Sequence, residues 1–353
     1  MIEMNLVTGA TGHLGNVLVR ELISGGEKVR VLVPPGESLQ PLQGMLIEVI
    51  VGDILDREAL RKAMQGVKTV FHLAGIIAIR PGMEERMHQV NVEGARNVAE
   101  MALECGVERL IHVSSVHAFR REPHGITIDE NTPLALDAPY GSYDRTKAEG
   151  TKVVLDVAKQ GLDAVIVCPS GIIGSHDYLG SEMGRALACF ADRRLEILID
   201  GAFDFVDVRD VVFGLLMARE KGEREEIYIL SGSRVTIEEL HQMAQNASGA
   251  RGVKLKLPMK LVMFAAQVVQ RLFQWLRIKS RFTVYSLQTL LDNSSFSSQK
   301  AWRKLGYRPR PLQEAVSDFL HWFNLHRKAA GKKTAKKEAG RRHKKALKGS
   351  GNC

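Results

Sequence analysis

Residues 8–15 read Thr8-Gly9-Ala10-Thr11-Gly12-His13-Leu14-Gly15, and they follow a short apolar run. Glycines at this spacing have three uses when a helix begins near Gly12. Gly9 permits a tight turn, Gly12 lets the backbone approach a pyrophosphate, and Gly15 allows the helix to pack closely on the strand. The unpaired N–H groups and the dipole at the start of that helix favour an anion.

The surrounding sequence separates this loop from a glycine-rich turn without a ligand, which the spacing alone would also allow. Ile2–Val7 is an apolar run of strand length, Val17–Ile23 has helical apolar spacing, and Lys28–Val33 has the pattern of a second strand. The glycines therefore lie in a βαβ unit, and this context predicts nucleotide binding.

The composition is typical of a soluble globular protein, because 45% of the 353 residues are apolar and 25% are charged. This length allows one large domain and a smaller one. Since the first residues already have the pattern of a strand, we expect no signal peptide. The four cysteines lie far apart without metal-binding spacing, which indicates a reducing cytoplasm and no metal site.

The formal net charge of +9 is concentrated near the C-terminal end. Residues 327–348 contain eleven lysines and arginines and one glutamate, so the rest of the chain is close to neutral. A segment this basic and this poor in aromatic residues is predicted to be a disordered, solvated extension. The alternative is attraction to an anionic membrane surface, whereas the lack of interleaved aromatic residues argues against specific nucleic-acid binding.

Strands and helices alternate along the chain, which predicts a doubly wound parallel sheet whose ligands bind at the carboxyl ends of the strands. Asp53 and Ile54 follow the third strand, Ile47–Val51. Asp53 would accept a hydrogen bond from an adenine amino group, unless it only caps the loop before the next helix. Leu73 ends the fourth strand and is followed by Ala74-Gly75, small residues that let a flat ring lie against the backbone.

Two further features follow the fifth strand, Arg109–Val113. The strand ends in Ser114-Ser115, and Tyr143 and Lys147 lie four residues apart on a predicted helix that ends near Lys159. Residues at this spacing share a helical face, so the ammonium is expected to lower the pKa of the phenol and make it a usable acid or base. An isolated pair of this kind is more often a packed aromatic residue beside a surface lysine.

In combination these features resemble the extended short-chain dehydrogenase/reductase family over about residues 1–320. The resemblance implies that Tyr143 is the general acid or base, that Lys147 lowers its pKa and holds the nicotinamide ribose, and that Ser115 hydrogen-bonds the reacting oxygen. It implies a structural role for Asn91. It also implies that NAD(P)(H) is bound by Gly9, Thr11, Gly12, His13, Leu14, Gly15, Asp53, Ile54, Leu73, Ala74, Gly75, Tyr143, Lys147, Pro169, Ser170 and Ile172.

The choice between NAD and NADP stays open at this point. An acidic residue at the end of the second strand would bind the ribose hydroxyl of NAD, and an arginine would accept the 2′-phosphate of NADP. Pro34 stands where such an arginine is often found in the family, and Glu37 lies several residues further along.

Two departures from the family's nucleotide-sugar enzymes narrow the substrate. Phe203 stands where those enzymes usually place an arginine for the pyrophosphate, and Gly171 stands where they tend to have an asparagine. Without the cation, little is left to neutralise a diphosphate. The chain therefore resembles the branch of dihydroflavonol reductases and 3β-hydroxysteroid dehydrogenases, which interconvert a ketone and a secondary alcohol on a bulky apolar skeleton.

The sequence predicts a Rossmann-type domain over residues 1–170, with a returning segment near 205–220 that begins with a strand at 205–208. A mainly substrate-binding region over 171–325 and the basic tail over 326–353 complete the chain. Residues 258–278 have the pattern of a helix with a broad apolar face, which is a core helix, a substrate lid or a helix on a membrane surface. Polar residues interrupt this segment too often for a membrane span.

The expected partners are the apolar ketone or alcohol and, through the tail and residues 258–278, a membrane surface; a homodimer and a cytoplasmic location complete the expectations. Two rival functions remain. One is a nucleotide-sugar epimerase or dehydratase, and the other is a non-catalytic protein that senses NAD(P).

Overall fold

The computed structural model describes residues 3–77, 82–137, 141–192, 195–250, 253–257 and 289–327 of the chain. Seven parallel strands form the main sheet. They are β1 Met4–Thr8, β2 Lys28–Val33, β3 Glu48–Val51, β4 Thr69–His72, β5 Arg109–Val113, β6 Ala164–Pro169 and β10 Ile227–Leu230. Their spatial order is β10-β6-β5-β4-β1-β2-β3.

The strand order reverses between β1 and β4. The chain runs outward from β1 to β2 and β3, returns to β4 on the other side of β1, and then continues through β5 and β6. Val7 in β1 accordingly pairs with Val31 on one side and with Phe71 on the other. A crevice for ligands opens at such a reversal, beyond the carboxyl ends of the strands.

Helices cover both faces of the main sheet. They are α1 His13–Ser24, α2 Arg57–Met64, α3 Glu84–His88, α4 Gly94–Glu104, α5 Ser142–Ala158 and α7 Val208–Lys221. One face, with α1 and α7, has its core around Val7, Val31 and Phe71. The opposite face, with α2, α4 and α5, has its core around Leu6 and Leu110. Because both faces are covered, the strands read as continuous apolar runs.

A smaller region contains two further sheets. A three-stranded sheet has the order β11-β9-β7, formed by β7 Gly171–Ile173, β9 Ala202–Asp207 and β11 Ser233–Thr236. Strands β8 Leu195–Ile199 and β12 Val253–Leu257 form a parallel pair, and helix α6 Glu182–Asp192 packs on α8 Ile237–Ser248. The chain also forms the helix Gln299–Leu305 and is helical over residues 312–327.

The returning segment differs from the expectation of a strand at 205–208. Those residues belong to the end of β9 and the first residue of α7, and β9 pairs with β7 and β11 and not with the main sheet. The chain returns to the main sheet through α7, which packs on β5 and β6, and then through β10. A buried strand looks the same in sequence whichever sheet it joins, because its partners are distant in the chain.

Two predicted segments lie outside the described residues. They are the apolar segment 258–278 and the basic tail after residue 327. Among the helices that the structure describes, none is both long enough and apolar enough to cross a membrane.

Candidate active site

The glycine loop has the geometry that its sequence predicts. Gly9 has a φ of +70°, and a Cβ there would lie 2.7 Å from the backbone nitrogen of Ala74. A Cβ on Gly15 would lie 2.1 Å from the Gly9 carbonyl oxygen, so no side chain fits between α1 and the loop. Gly12 is the N-cap of α1, and a Cβ there would have one close neighbour among the described residues, the same oxygen at 3.2 Å. The face of Gly12 therefore has room for a phosphate at the positive end of the helix.

The side chains of His13 and Asn16 at the start of α1 contact the segment that follows β7. His13 Nε2 lies 2.9 Å from the Ser175 carbonyl oxygen, and Asn16 donates a hydrogen bond to the His176 carbonyl oxygen at 3.1 Å. Burial lowers the pKa of His13, and Leu14 packs in the core. His13 and Leu14 can therefore reach a phosphate with their backbone N–H groups and not with their side chains.

The structure shows that Glu37 contacts the glycine loop. Thr11 is buried, and its hydroxyl donates a hydrogen bond to the Glu37 carboxylate. A turn after β2, closed by the hydrogen bond from the Glu37 nitrogen to the Pro34 carbonyl oxygen at 3.2 Å, brings this carboxylate back toward the loop. Dinucleotide-binding folds contact the adenosine ribose at this end of the second strand. Glu37 is therefore close to the glycine loop in space, although it lies several residues beyond the end of β2 in the sequence.

Asp53 and Ile54 stabilise the loop after β3. One oxygen of Asp53 accepts a hydrogen bond from the Leu55 nitrogen at 3.0 Å, and the other lies 3.3 Å from a guanidinium nitrogen of Arg86. Ile54 is buried, and the N-cap of α2 is Asp56. Asp53 thus stabilises the loop before α2, which is one of the two roles that the sequence suggests. Its contact with adenine stays a prediction.

The segment after β4, Leu73 to Ile76, is fixed by two buried side chains. The Thr8 hydroxyl accepts a hydrogen bond from the Ala74 nitrogen at 3.3 Å. The Asn91 amide accepts a hydrogen bond from the Ile76 nitrogen at 2.8 Å and donates one to the Ile76 carbonyl oxygen at 3.0 Å. Asn91 lies in a π-helical turn, Gln89–Glu93, which no sequence pattern predicts.

Lys147 reaches this segment from α5. A Cβ on Gly75 would lie 3.2 Å from the lysine Nζ, which donates a hydrogen bond to the Val113 carbonyl oxygen at 3.3 Å. Burial lowers the pKa of Lys147 to about 8. The helix comes this close because Gly150 packs on the backbone of Asn91, where a Cβ would lie 2.2 Å from the carbonyl oxygen.

Tyr143 lies one turn before Lys147, and its ring is buried. The Ser115 side chain lies near enough to the phenol to favour its deprotonated form. Burial raises the pKa of Tyr143 to about 12 and the charge of Asp144 adds to the rise, whereas the Ser115 side chain opposes it. The expected lowering of this pKa is therefore not found, because burial outweighs the opposing effect of Ser115.

Sequence reasoning missed an ionic group beside Tyr143. His117 Nδ1 lies 3.2 Å from the Asp144 carboxylate, which also accepts two hydrogen bonds from Arg121, at 2.7 and 3.2 Å. The His117 ring packs edge-on against the Tyr143 ring, with centroids 5.5 Å apart. The available signal was positional, because His117 lies two residues after Ser115 and Asp144 directly follows Tyr143.

Phe203 lies on another side of His117. The two rings are stacked, with centroids 5.7 Å apart and planes 15° apart. Phe203 is buried and packs edge-on against Phe205 and Phe296. Phe203 is therefore part of an aromatic cluster that His117 connects to Tyr143.

The segment Pro169–Ile172 contains the last residue of β6, Ser170 and the first two residues of β7. The Ser170 nitrogen donates a hydrogen bond to the Leu230 carbonyl oxygen at 3.2 Å. A Cβ on Gly171 would lie 2.6 Å from the ring of Phe205, so the two residues are matched in size. The absence of an asparagine at Gly171 thus has a packing cause.

The structure therefore brings Ser115, Tyr143, Lys147 and Gly75 together at the carboxyl ends of β4 and β5. The glycine loop, which follows β1, is next to these residues because Gly9 packs against Ala74 after the neighbouring strand β4. Asp53 and Glu37 lie further along the same edge of the sheet, after β3 and β2.

Comparison with known proteins identifies the family of the chain. Residues 5–231 match the model of the NAD dependent epimerase/dehydratase family. The chain is 36% identical over 321 residues to sterol demethylase protein B of Methylococcus capsulatus, covering 90% of this chain and 97% of that protein. It is 27% identical over 327 residues to 4-hydroxy-2-methyl-3-oxo-4-farnesyl-3,4-dihydroquinoline-1-oxide ketoreductase of Stigmatella aurantiaca, covering 89% and 94% of the two chains.

Other relatives are named for dihydroflavonol 4-reductase and 3β-hydroxysteroid dehydrogenase, as the sequence resemblance predicts. Among solved structures, the crystal structure of gox2253 superposes with a TM-score of 0.80 at 33% identity, covering 92% of this chain and 98% of that chain. The predicted Rossmann-type fold is confirmed.

Gly12→Val is expected to lower the affinity for NAD(H) and NADP(H) by roughly a hundredfold or more, because the side chain would fill the phosphate position. Its φ of −66° suits any residue, so the variant should fold. Gly15→Val should instead fail to fold, because its Cβ overlaps the Gly9 carbonyl oxygen. Calorimetric titration and thermal unfolding compare the two, and a folded Gly12→Val protein with wild-type affinity would refute the location of the phosphate site.

Lys147→Met is expected to stabilise the protein at pH 7 by about 3 kcal/mol, because a folded-state pKa near 8, below the usual 10.4, means that folding disfavours the ammonium. The cost of burying the ammonium is fully present below pH 8 and disappears as the pH rises to the pKa of an ordinary lysine, near 10.4. Urea unfolding at pH 7 and pH 10 should therefore show a gain that shrinks with pH. Lys152→Met, at an exposed position of α5, is the control and should change little. A loss of stability in Lys147→Met at pH 7 would contradict this.

Proposed function

Because the chain belongs to the NAD dependent epimerase/dehydratase family, we propose that it is an NAD(P)-dependent oxidoreductase that interconverts a ketone and a secondary alcohol on a bulky, mainly apolar substrate. The proposal depends on one observation above all. The Ser115 side chain and the Tyr143 phenol lie together, and the buried Lys147 ammonium is one helical turn further along α5.

The residues of the crevice fit a nicotinamide cofactor, which would supply or accept the hydride when bound. The bare face of Gly12 at the start of α1 would hold the pyrophosphate. Gly75 has no side chain to block a flat ring, and Lys147 Nζ beside it would hold the nicotinamide ribose. The family resemblance suggests these roles, and the contacts of Gly75 with Lys147 and of Gly9 with Ala74 support them.

Ser115 and Tyr143 would act on the substrate oxygen. In the reducing direction, the serine hydroxyl donates a hydrogen bond to the carbonyl oxygen, and the phenol delivers the proton. Because the pKa of Tyr143 is about 12, the phenol keeps its proton until negative charge develops on that oxygen. The ammonium of Lys147 then stabilises the phenolate that remains.

The preference for an apolar substrate rests on the aromatic cluster of Phe203 and Phe296, which reaches Tyr143 through the ring of His117. The names of two relatives support it, since one refers to a sterol and the other to a farnesylated ketone. Such substrates partition into membranes. We therefore keep the basic residues 327–348 and the segment 258–278 as a proposed contact with an anionic bilayer.

Two rival functions are less well supported. A nucleotide-sugar epimerase or dehydratase would need a cation for the diphosphate where this chain has the buried Phe203. A non-catalytic sensor would not need Ser115, Tyr143 and Lys147 to be placed together.

We also propose that Glu37 favours NAD over NADP. Its carboxylate is held against the glycine loop by Thr11, at the end of the sheet where the adenosine ribose would lie. A hydroxyl of that ribose can donate to a carboxylate, whereas a 2′-phosphate would be repelled by it.

Tyr143→Phe is expected to lower kcat for ketone reduction at least roughly a hundredfold and to leave cofactor affinity nearly unchanged, because it removes only the proton donor. Tyr228→Phe, a buried tyrosine of β10, is the matched control. Absorbance at 340 nm with panels of steroid, flavonoid and sugar-nucleotide substrates measures both. A Tyr143→Phe enzyme with more than half of the wild-type turnover would show that another group is the acid.

Glu37→Gln should keep the hydrogen bond from Thr11 and remove the charge. We expect the NAD(H)-to-NADP(H) affinity ratio to fall by roughly tenfold, mainly through tighter NADP(H) binding. Glu21→Gln, at an exposed position of α1, should leave the ratio unchanged. An unaltered ratio in Glu37→Gln would exclude the carboxylate as the discriminating group.

A further inference from the structure

We propose that the buried carboxylate of Asp204 makes the site bind NAD⁺ in preference to NADH. The nicotinamide ring of NAD⁺ carries a positive charge, whereas the ring of NADH is neutral. The inference rests on the proposed function, because it takes Pro169, Ser170 and Ile172 as residues that bind the nicotinamide end of the cofactor. It adds a preference between the two redox states of the cofactor.

Asp204 lies where the chain twice leaves the main sheet. One crossing is at Ser170, between β6 and β7, where the serine nitrogen donates a hydrogen bond to the Leu230 carbonyl oxygen at 3.2 Å. The other crossing follows β10, where the Gly232 nitrogen donates a hydrogen bond to an Asp204 carboxylate oxygen at 2.8 Å. Both crossings follow the carboxyl ends of parallel strands, which is the edge where ligands of such sheets bind.

Ser170 connects this carboxylate to the predicted cofactor-binding segment. Its side chain lies near enough to Asp204 to favour the ionised form of the carboxyl group. Ser170 is 7% exposed, and its hydroxyl has no hydrogen-bond partner among the described residues. A buried hydroxyl without a partner is uncommon and is accounted for when a ligand completes the site. The carboxylate therefore lies one side chain away from that segment.

The charge of Asp204 is not compensated by a cation. Asp204 is 3% exposed, and among the described residues it forms no ion pair. Arg234 is directly opposite in the register of β11, but its guanidinium donates a hydrogen bond to the Ser294 hydroxyl at 3.2 Å. Two other cations of this region pair with other acids, Arg209 with Asp207 and Arg310 with Asp210.

Two further ionisable neighbours of Asp204 are neutral at pH 7. The Tyr307 hydroxyl donates a hydrogen bond to the Ser231 carbonyl oxygen at 3.1 Å, and burial together with nearby acids, Asp204 among them, raises its pKa. Burial raises the pKa of Cys168, two residues before Ser170, to about 12. Neither group offsets the charge of the carboxylate.

A cationic ring near Ser170 would supply the missing positive charge. Burial raises the pKa of Asp204 to about 6, so most of the protein carries the ionised carboxylate at pH 7. A nearby positive charge lowers the pKa of a carboxyl group, and by linkage the carboxylate then strengthens binding of the cation. When both cofactors are present, a site with this preference is loaded for oxidation of the alcohol.

Asp204→Asn removes the charge and keeps an oxygen that can accept the hydrogen bond from Gly232. Calorimetric titration at pH 7 should show that the ratio of NAD⁺ affinity to NADH affinity falls roughly fivefold, mainly through weaker NAD⁺ binding. The pyrophosphate and the adenosine are common to both cofactors, so the ratio isolates the effect on the nicotinamide. Asp192→Asn, at an exposed position at the end of α6, is the control and should leave the ratio unchanged.

The pH dependence of the wild-type ratio is a second measurement. The ratio should fall roughly twofold between pH 7 and pH 5.5, because the carboxylate takes up a proton in this range. Lys147, with a pKa of about 8, keeps its charge over most of this range. Asp204→Asn retains His117, whose ring stacks on the adjacent Phe203, so the part of the change that disappears in this variant belongs to Asp204.

An unchanged ratio in folded Asp204→Asn would overturn the role of Asp204. An equal loss of affinity for both cofactors would also overturn it, because that result indicates a purely structural residue. If the variant does not fold, a wild-type ratio that is independent of pH overturns it instead. A lowered ratio in Asp204→Asn, together with no ketone reduction by the wild type, would support the role of Asp204 and count against the proposed function alone.

Discussion

Burial of a single ammonium group, that of Lys147, constrains the rest of the candidate site. Burial lowers its pKa to about 8, and among the described residues no carboxylate pairs with it. Its hydrogen bond to the Val113 carbonyl oxygen offsets part of the desolvation cost. Gly75 and Gly150 are small where the lysine and its helix need space. The protein therefore places a charged group where packing alone would favour an apolar one, which is typical of a functional site.

The parallel sheet explains why distant segments meet around this group. Each strand that contributes to the site ends at the same edge, so the glycine loop after β1, the segment after β4 and Ser115 after β5 are neighbours. This part could be predicted from the sequence. The buried strands are continuous apolar runs, and Gly9 and Gly15 are required by backbone contacts that permit no other residue.

The remaining features depend on contacts that leave no periodic signal. Glu37 reaches Thr11 because of a local turn, and Asn91 reaches Ile76 from a π-helical turn. The spacing of Tyr143 and Lys147 predicts that they share a helical face, but the sign of the pKa shift of the phenol depends on burial, which spacing does not reveal. Nothing in the sequence pattern shows that His117 lies beside Tyr143 and is paired with the Asp144 carboxylate; only the folded structure brings these side chains together.

In the proposed function, this site transfers a hydride to an apolar ketone and releases the alcohol. The decisive experiment is incubation of the protein with 5α-androstan-3-one and NADH deuterated at the reacting C4 position. Mass spectrometry should find one deuterium on the carbinol carbon of the product, and one NAD⁺ should form for each alcohol. Unchanged ketone and NADH, together with epimerisation or dehydration of a sugar nucleotide without net cofactor consumption, would contradict it.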